Sequence, residues 1–290
     1  MITLENERLI VKINEHGAEL KSIFGKKNNF EYMWQGDEKY WAFSSKIPFP
    51  VCGRLLNGEY EYDGKKYSLA NHGFAMLSDF DVEEKSQTKV VLRLTENEKT
   101  LEIYPFKFVF RVIYEIDGAT LKTSLNVYNS GDTVLPFSLG GHPAFNVPLP
   151  CGGDFEDHYI EFDTNKLVKT ELSSRGLDTG KTSEYTLENK KLQLSHELFK
   201  NDALFFELKS GKAILRSSKC DEFVRIDFDD TTNVGIWQTY KNTTPFVCIE
   251  PWHGIAGSDN KVDNILDKKY IIKLDPQKTY NFCYDTTVNE

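Results

Sequence analysis

The chain has 290 residues, 40% of them hydrophobic, and its 35 basic and 44 acidic side chains give a formal net charge of −9. This length can bury a substantial core, and the acidic balance disfavours nucleic acid as a partner, because a phosphate backbone needs a basic surface. No apolar run approaches the ~18 residues of a membrane span, and the amino terminus lacks a signal-peptide pattern, so we expect a cytoplasmic protein that binds no membrane.

Apolar and polar residues alternate with a period of two along most of the chain, which predicts half-buried antiparallel strands. Aromatic residues make up 13%, which also favours strands over helices. Asp63-Gly64 and Asp117-Gly118 separate alternating segments and suit tight hairpin turns. In chain order, the candidate strands are residues 9–13, 18–24, 90–94, 108–116, 120–128, 203–208, 212–217, 223–228, 234–240, 245–249, 270–274 and 279–284.

Helical patterns are weak. Residues 195–200 can form one or two turns, and Ser258 can cap a short helix that ends at Lys269. Neither segment is long enough for the crossover helices that parallel strands need. No repeat or linker divides the chain. We therefore expect residues 1–290 to form a single all-β domain, mostly antiparallel, with roughly twenty or more strands in two stacked sheets.

Cofactor motifs are absent: the sequence has no GxGxxG, Walker, HExxH or GxSxG pattern, so we expect neither a nucleotide cofactor nor a metal. The cysteines are odd in number and include no CxxC pair, which favours reduced thiols in a cytosolic protein. They are Cys52, Cys151, Cys220, Cys248 and Cys283.

Two histidines stand beside glycines. Asn71-His72-Gly73 can present His72 from a loop to a cleft, although a turn histidine bonded to a backbone carbonyl explains the pattern equally simply. In Gly140-Gly141-His142-Pro143, the glycines permit close backbone approach and the proline stiffens the chain. His142 therefore suits a general acid or base, with a buried structural histidine as the alternative.

Glu250 follows the apolar segment 245–249 and precedes Pro251, which we expect to end regular strand pairing. Partial desolvation there should raise the pKa of Glu250 and suit it to act as a base, with a strand-end salt bridge as the alternative. Trp252 lies two residues after Glu250 and is a candidate to stack on a sugar face. His253 is interpreted as a structural or supporting residue.

Arg54 lies in a glycine-bounded turn, where its guanidinium can donate two hydrogen bonds to neighbouring hydroxyls. Asp202 stands just before an apolar strand. A surface ion pair and a turn aspartate are the simpler interpretations of these two residues.

Together, five segments resemble the aldose 1-epimerase (galactose mutarotase-like) family in the family's own order. The resemblance covers nearly the whole chain and implies a β-supersandwich of two large antiparallel sheets. It is closer to a less characterised bacterial branch, similar to proteins associated with lactose and galactose operons. The segments are Gly53-Arg54, Asn71-His72-Gly73, Gly141-His142-Pro143, Asn201-Asp202 and Ile249-Glu250-Pro251.

The resemblance implies a mutarotase that interconverts the α and β anomers of a free hexose without a cofactor or metal. It makes Glu250 the base that takes the anomeric proton and His142 the acid that protonates the ring oxygen. It makes His72 a second histidine that hydrogen-bonds the sugar. Sugar-binding positions are then Arg54, Asp202, Asn71 and Trp252. As partners we expect a small sugar only, in a monomer or homodimer.

Three alternatives remain open. A hexose-phosphate mutarotase needs several basic residues at the cleft, and the sequence offers only Arg54. A non-catalytic sugar-binding protein on the same fold needs no acid–base pair. A glycosidase normally needs two carboxylates flanking the bond, whereas the expected acid here is a histidine. The charge of −9 further favours a neutral sugar over a phosphorylated one.

Overall fold

A computed structural model describes residues 1–241 and 243–289. Over these residues the chain is dominated by strands, with one α-helix, α1 (Glu98–Ile103), and short 3-10 turns at Leu56–Gly58, Ala75–Leu77, Phe155–Asp157, His196–Phe199 and Ile265–Asp267. The strands are β1 (Ile2–Glu5), β2 (Leu9–Asn14), β3 (Glu19–Gly25), β4 (Phe30–Glu31), β5 (Ser45–Lys46), β6 (Glu59–Tyr62), β7 (Lys65–Ser68), β8 (Asp81–Lys85), β9 (Lys89–Thr95), β10 (Val109–Asp117), β11 (Thr120–Tyr128), β12 (Leu135–Phe137), β13 (Leu139–Gly140), β14 (His142–Asn146), β15 (His158–Phe162), β16 (Lys166–Leu172), β17 (Asp178–Thr186), β18 (Lys191–Gln193), β19 (Leu204–Phe206), β20 (Gly211–Ser217), β21 (Phe223–Phe228), β22 (Asn233–Trp237), β23 (Phe246–His253), β24 (Asp263–Asn264), β25 (Ile272–Leu274) and β26 (Thr279–Val288).

Two large antiparallel sheets dominate the described part of the chain. One has nine strands in the order β18-β15-β20-β21-β26-β11-β10-β9-β8, and the other has eight in the order β17-β16-β19-β22-β23-β14-β5 together with β13 at one end of β23. The smaller sheets of the described residues have two, three and four strands. The expected all-β architecture with two large sheets is therefore confirmed.

Alternation and turn chemistry explain the nine-stranded sheet. Side chains of β11 alternate between buried and half-buried positions, as a strand with one face on the core requires. β10 and β11 pair from Val109 opposite Tyr128 to Asp117 opposite Thr120, so the predicted Asp117-Gly118 turn joins them. Val288 of β26 lies near the chain end and extends the pairing with β21.

Aromatic residues fill the core that the two sheets share. The Phe49 ring stacks on Phe110 with centroids 4.4 Å apart, and Phe162 of β15 meets Phe206 of β19 at 5.8 Å. These side chains belong to one continuous buried hydrophobic cluster. Most of the aromatic surplus therefore packs the sheets. Within the described residues, every helix is too short or too polar to cross a bilayer.

One prediction about local structure is wrong, and one element was missed. The helix expected from Ser258 to Lys269 is replaced by β24 and a 3-10 turn at Ile265–Asp267, because Asn264 accepts a hydrogen bond from the Leu266 N–H and starts a tighter turn. The helix α1 was not predicted, and it begins at a capping box in which Asn97 and Thr100 bond each other's backbone N–H.

The prediction of five reduced cysteines is wrong for one pair. Cys151 and Cys220 form a disulfide, with their Cα atoms 6.0 Å apart. The loop after β14 and the turn after β20 bring them together, and a separation of 69 residues hides this pairing in the sequence. The other three cysteines are free, and Cys52 and Cys248 among them are buried.

Candidate active site

One cavity of about 260 Å³ collects most of the polar residues singled out above. Drug-sized ligands fill pockets of ~300–1,000 Å³, so this volume suits one small ring. It lies beside the eight-stranded sheet. The cavity is lined by Trp41, Lys46, Gly53, Arg54, Asn71, His72, His142, Leu172, Gly176, Asp202, Ala203, Phe205, Trp237, Thr239, Glu250, Trp252 and Ala256.

Glu250 lies within β23, an interior strand of the eight-stranded sheet, and faces Gly235 of β22 across the ladder. The expectation that Pro251 ends pairing is wrong, since β23 continues to His253. Pro251 has no N–H to donate, but its carbonyl oxygen still accepts a hydrogen bond from the Gly141 N–H at 3.1 Å, so this part of the strand stays paired. The carboxyl group is therefore held by a rigid strand.

His142 begins β14, next to β23, and a pair of glycines sets its position. A Cβ atom on Gly140 would lie 2.5 Å from the Pro251 carbonyl oxygen, and one on Gly141 would overlap the Tyr284 hydroxyl. Only glycines let the chain pass this close to β23 and Tyr284. As a result, Nε2 of His142 lies 3.4 Å from Oε2 of Glu250.

Burial governs the charges of this pair. Burial, followed by the negative charge of Asp202, raises the pKa of Glu250 well above its ordinary value. Burial, followed by the positive charge of Lys46, lowers the pKa of His142 to about 3. Burial thus favours a protonated Glu250 beside a neutral His142. Moving one proton between them gives a carboxylate and an imidazolium without changing the net charge.

Nε2 is the nitrogen of His142 that faces Glu250 and the cavity. Its Nδ1 atom is buried and has no hydrogen-bond partner among the described residues. Nε2 is therefore the position at which His142 can exchange a proton with Glu250 or with a ligand.

His72 reaches the cavity from a loop with a left-handed backbone, at φ 66°. The Gly53 N–H donates to its Nδ1 at 3.3 Å, which assigns the proton of the ring to Nε2. Burial, and then the charge of His142, holds the pKa of His72 well below its ordinary value. His72 is therefore a neutral hydrogen-bond donor toward the cavity.

Arg54 and Asp202 form an ion pair at the cavity rim, with Nη1 of Arg54 donating to Oδ2 of Asp202 at 2.8 Å. Their side chains are 49% and 30% exposed, so the pair orients the two groups more than it stabilises the fold. Gly176 lies against both groups, because a Cβ atom there would overlap Nη1 of Arg54.

Aromatic rings form the remaining walls. Trp41 stacks on the His142 ring at 5.0 Å, and Trp237 meets it edge-on at 5.6 Å. Trp252 lines the cavity but is only 2% exposed, and its Nε1 donates to the Gly141 carbonyl at 3.0 Å. The half-buried Trp41 and Trp237 therefore offer more aromatic surface to a ligand than Trp252 does.

The structure brings all seven predicted site residues to this one cavity: Glu250, His142, His72, Arg54, Asp202, Asn71 and Trp252. His253 is not among the lining residues, and its Nδ1 instead lies 2.9 Å from the Tyr280 hydroxyl.

Lys46 is the main lining residue that the sequence analysis missed. It pairs directly with His142 across β5 and β14, so both side chains lie on the same face of the sheet. Its only signal in the sequence is a single charge just before the apolar run Ile47-Pro48-Phe49.

Among the described residues, two groups of side chains are close enough to hold a metal, and in one of them Cys151 and Cys220 are joined in a disulfide. His142, Cys248 and Glu250 each place a ligand atom within 4.8 Å of the others. Burial raises the pKa of Cys248 well above its ordinary value, which opposes the thiolate that a metal needs. The expectation that no metal is required stays a prediction.

Comparison with known proteins adds a second line of observation. The family model for Aldose 1-epimerase matches residues 1–261. The plasmid and chromosomal forms of Protein LacX from Lactococcus lactis subsp. lactis are 33% and 34% identical over 297 aligned residues, covering 99% of this chain and 99% of each relative.

Two solved structures have nearly the same fold. A galactose mutarotase related enzyme from Lactobacillus acidophilus has a TM-score of 0.96 and 37% identity, covering 100% of this chain and 97% of its own. A galactose mutarotase-like protein from Lactobacillus casei ATCC 334 has a TM-score of 0.94 and 29% identity, with both chains fully covered. The fold implied by the sequence resemblance is therefore confirmed.

Proposed function

Since the chain belongs to the aldose 1-epimerase family, we propose that it interconverts the α and β anomers of a hexose whose anomeric hydroxyl is free. The observation that carries this proposal is the 3.4 Å approach of His142 Nε2 to Glu250 Oε2 in the wall of a cavity that suits one sugar ring. A carboxylate and an imidazole so placed can exchange two protons with one small substrate.

Ring opening starts from the carboxylate–imidazolium form of the pair. Glu250 takes the proton of the C1 hydroxyl, and Nε2 of His142 gives its proton to the ring oxygen. The C1–O1 bond gains double-bond character while the bond between C1 and the ring oxygen breaks. The product is the open-chain aldehyde, and the pair is left as protonated Glu250 and neutral His142, the form that burial favours.

Closure repeats these steps in reverse. Rotation about the C1–C2 bond presents the other face of the aldehyde, His142 takes back the hydroxyl proton of the open chain, and Glu250 returns its proton to O1. The other anomer leaves, and the protein ends with the protons it started with.

The surrounding groups hold the sugar during this exchange. His72 donates from Nε2, Arg54 and Asp202 offer a donor and an acceptor at the rim, and Asn71 is exposed beside them. Trp41 and Trp237 provide apolar faces for the carbon side of a pyranose.

Binding without catalysis is the rival function on this fold. A protein that only binds sugar gains nothing from a buried Glu250 and His142, because burying ionisable groups costs stability. A cytoplasmic location is also proposed, for an enzyme that acts on sugars inside the cell; finding the Cys151–Cys220 disulfide intact in protein taken from cells would count against it, because disulfides are rare in the cytosol.

The test is anomeric exchange measured by NMR saturation transfer on sugars at equilibrium. Glucose, galactose and other hexoses, with and without a substituent at C6, are compared with a buffer blank. We expect the protein to raise the exchange rate of at least one hexose far above the blank. Sugar binding with no faster exchange for any of them would contradict catalysis and favour the binding function.

A further inference from the structure

Lys268 is a buried lysine that takes no part in the proposed reaction. It follows the 3-10 turn Ile265–Asp267, and only 4% of its surface is exposed. Its Nζ donates hydrogen bonds to two backbone carbonyl oxygens, those of Ile255 and, at 3.3 Å, of Ala256. Lysine is rarely buried this completely, because removing its amine from water is costly unless hydrogen bonds compensate. The two carbonyl contacts therefore indicate a specific role for this side chain.

Both carbonyl groups belong to residues 254–257, here called the supporting segment. The segment follows β23 directly and has no helix or strand of its own, so no ladder of hydrogen bonds holds it. Ile255 is 0% and Ala256 4% exposed, which leaves their carbonyl oxygens dependent on partners within the protein. Lys268 supplies a partner to each of them. Without its amine the segment would have to shift to regain hydrogen bonds.

The supporting segment packs against the turn formed by Gly53 and Arg54, here called the arginine turn. The Gly257 N–H donates to the Arg54 carbonyl oxygen at 2.7 Å. A Cβ atom on Gly53 would lie 2.9 Å from the Cα atom of Ala256, so the two backbones are in direct contact. Because these contacts join backbone to backbone, a shift of the supporting segment displaces the arginine turn.

The arginine turn in turn holds two of the groups assigned to the sugar. The Arg54 side chain reaches the cavity, where it pairs with Asp202. The Gly53 N–H donates to Nδ1 of His72 at 3.3 Å, and the Gly53 carbonyl oxygen accepts from the His72 N–H at 3.1 Å. The position of this turn therefore sets the positions of both Arg54 and His72.

We propose that Lys268 is a positioning residue for sugar binding. Its hydrogen bonds fix the supporting segment, the segment fixes the arginine turn, and the turn aims Arg54 and His72 at the sugar. The proposal rests on the proposed function, because that function assigns these two donors to the sugar. Glu250 and His142 are held by the paired strands β23 and β14, so the acid–base pair does not depend on Lys268.

The role is geometric and does not need the charge of Lys268. Burial lowers the pKa of Lys268, and the negative charge of Asp263 opposes this shift. A neutral amine still has two N–H groups, one for each carbonyl oxygen. Two other contacts hold the end of the segment: the Asp178 N–H donates to the Gly257 carbonyl oxygen, and Oδ2 of Asp263 accepts from the Ser258 N–H, each at 2.9 Å. We therefore expect loss of the amine to shift the segment without unfolding it.

The experiment compares Lys268→Met with the wild type in anomeric exchange and in sugar binding, the latter by NMR titration. Methionine nearly matches the length of lysine but donates no hydrogen bond. We expect KM and Kd to rise by about threefold to tenfold, the effect of weakening one hydrogen bond to a ligand. The kcat should stay within about twofold, because the loss affects binding and not proton transfer.

Two further variants accompany this measurement. Lys268→Gln is milder, since its amide ends one bond short of the lysine amine, and it should show the same rise in KM to a smaller extent. Lys261→Met is the matched control, because Lys261 is exposed in the same part of the chain and does not line the cavity. Its KM, Kd and kcat should equal those of the wild type.

A double-mutant cycle tests the route through the arginine turn. Arg54→Ala removes the guanidinium, so a shift of the turn has less left to displace. We therefore expect Lys268→Met to raise KM by a smaller factor in the Arg54→Ala background than in the wild type. Substitutions at independent sites would instead multiply KM by the same factor in both backgrounds.

Three outcomes would overturn the proposal and leave the proposed function intact. They are unchanged KM and Kd in both Lys268 variants, a loss of kcat without a rise in KM, and equal factors in the two backgrounds of the cycle. If Lys268→Met does not fold, Lys268→Gln decides by the same criteria. If the wild type accelerates exchange of no sugar, the proposed function fails, while Kd for the sugar still tests the role of Lys268.

Discussion

Nε2 of His142 and Oε2 of Glu250 lie 3.4 Å apart, and their side chains are only 6% and 2% exposed. At this distance each group controls the charge of the other, so the two titrate as a unit. The unit can hold no proton, one proton or two. Only the form with one proton contains both an acid and a base.

The first prediction concerns the pH profile of the wild type. Burial lowers the pKa of His142 to about 3 and raises the pKa of Glu250 well above its ordinary value, so the one-proton form spans neutral pH. We expect kcat/KM to be flat around neutrality, to fall toward pH 3 as the second proton binds, and to fall in alkali as the last proton leaves. A profile centred on an unperturbed histidine, with a midpoint near pH 6.5, would contradict this assignment.

The second prediction concerns the alkaline limb of the pH profile of kcat/KM. The negative charge of Asp202 is the second contribution, after burial, to the raised pKa of Glu250. Asp202→Asn should therefore lower the pKa of Glu250 and shift the alkaline limb to lower pH, besides weakening sugar binding. Asp259→Asn is the control, because Asp259 bonds Arg175 and Ser173 outside the cavity. A limb that stays in place in Asp202→Asn would show that Asp202 does not reach Glu250 electrostatically.

The third prediction concerns stability. A carboxyl group whose pKa is raised by folding ionises first in the unfolded chain, so the free energy of unfolding falls as pH rises above about 4.5, toward the folded pKa. Each pH unit in this window costs at most about 1.4 kcal/mol. Glu250→Gln removes this cost, so the difference between its Tm and that of the wild type should increase as the pH rises from about 4.5 toward the folded pKa.

Exposed Glu38 supplies the control for that measurement. Glu38→Gln should leave the difference in Tm near zero at every pH. A difference in Tm between Glu250→Gln and the wild type that decreases as the pH rises would mean that the carboxylate is stabilised in the fold, against the assigned direction of its pKa.

The sequence was sufficient to find these groups because each stands in a recognisable local setting. Glu250 follows an apolar strand, and His72 and His142 follow or precede glycines. Their convergence was not deducible from spacing, because it depends on which strands pair. The resemblance to a family is what indicated that these residues converge on one site. In the structure, the pairing of β14 with β23 brings His142 and Glu250 together.

The fourth prediction uses a matched pair of glycines. Gly176 and Gly180 have nearly the same backbone, with φ of 70° and 73°, but a Cβ atom would overlap Arg54 at Gly176 and meet nothing within 4 Å at Gly180. Alanine at either position costs about 1–2 kcal/mol for its left-handed backbone. Only Gly176→Ala should displace the Arg54–Asp202 pair and raise KM several-fold. Equal KM values in the two variants would show that the Arg54–Asp202 pair does not contribute to sugar binding.

Pairings between residues far apart in the sequence could not be predicted from it. Lys46 belongs to a two-residue strand with no alternation to reveal it, and only its pairing with His142 brings it to the cavity. Cys151 and Cys220 are joined although 69 positions apart, and no spacing motif marks them. In both cases the tertiary fold determines the partner, and the local sequence pattern does not indicate it.

The fifth prediction concerns those cysteines. Unfolded protein prepared without reductant should show three reactive thiols, from Cys52, Cys248 and Cys283, and five after reduction. Folded protein should react first at Cys283, which is exposed. Five thiols before reduction would restore the original expectation of fully reduced cysteines.

The most direct test of the central claim is anomeric exchange by the variants Glu250→Gln and His142→Asn, measured on the hexose that the wild type turns over fastest. Each substitution removes one proton-transfer partner but keeps a side chain of similar shape, and general acid–base catalysis contributes about 10²–10⁴-fold per group. His253→Asn controls for loss of a histidine outside the cavity. We expect both site variants to lose at least a hundredfold in kcat while the control retains its rate. Full exchange in either site variant, with the protein folded and the sugar bound, would contradict the assignment of Glu250 and His142 as the acid–base pair.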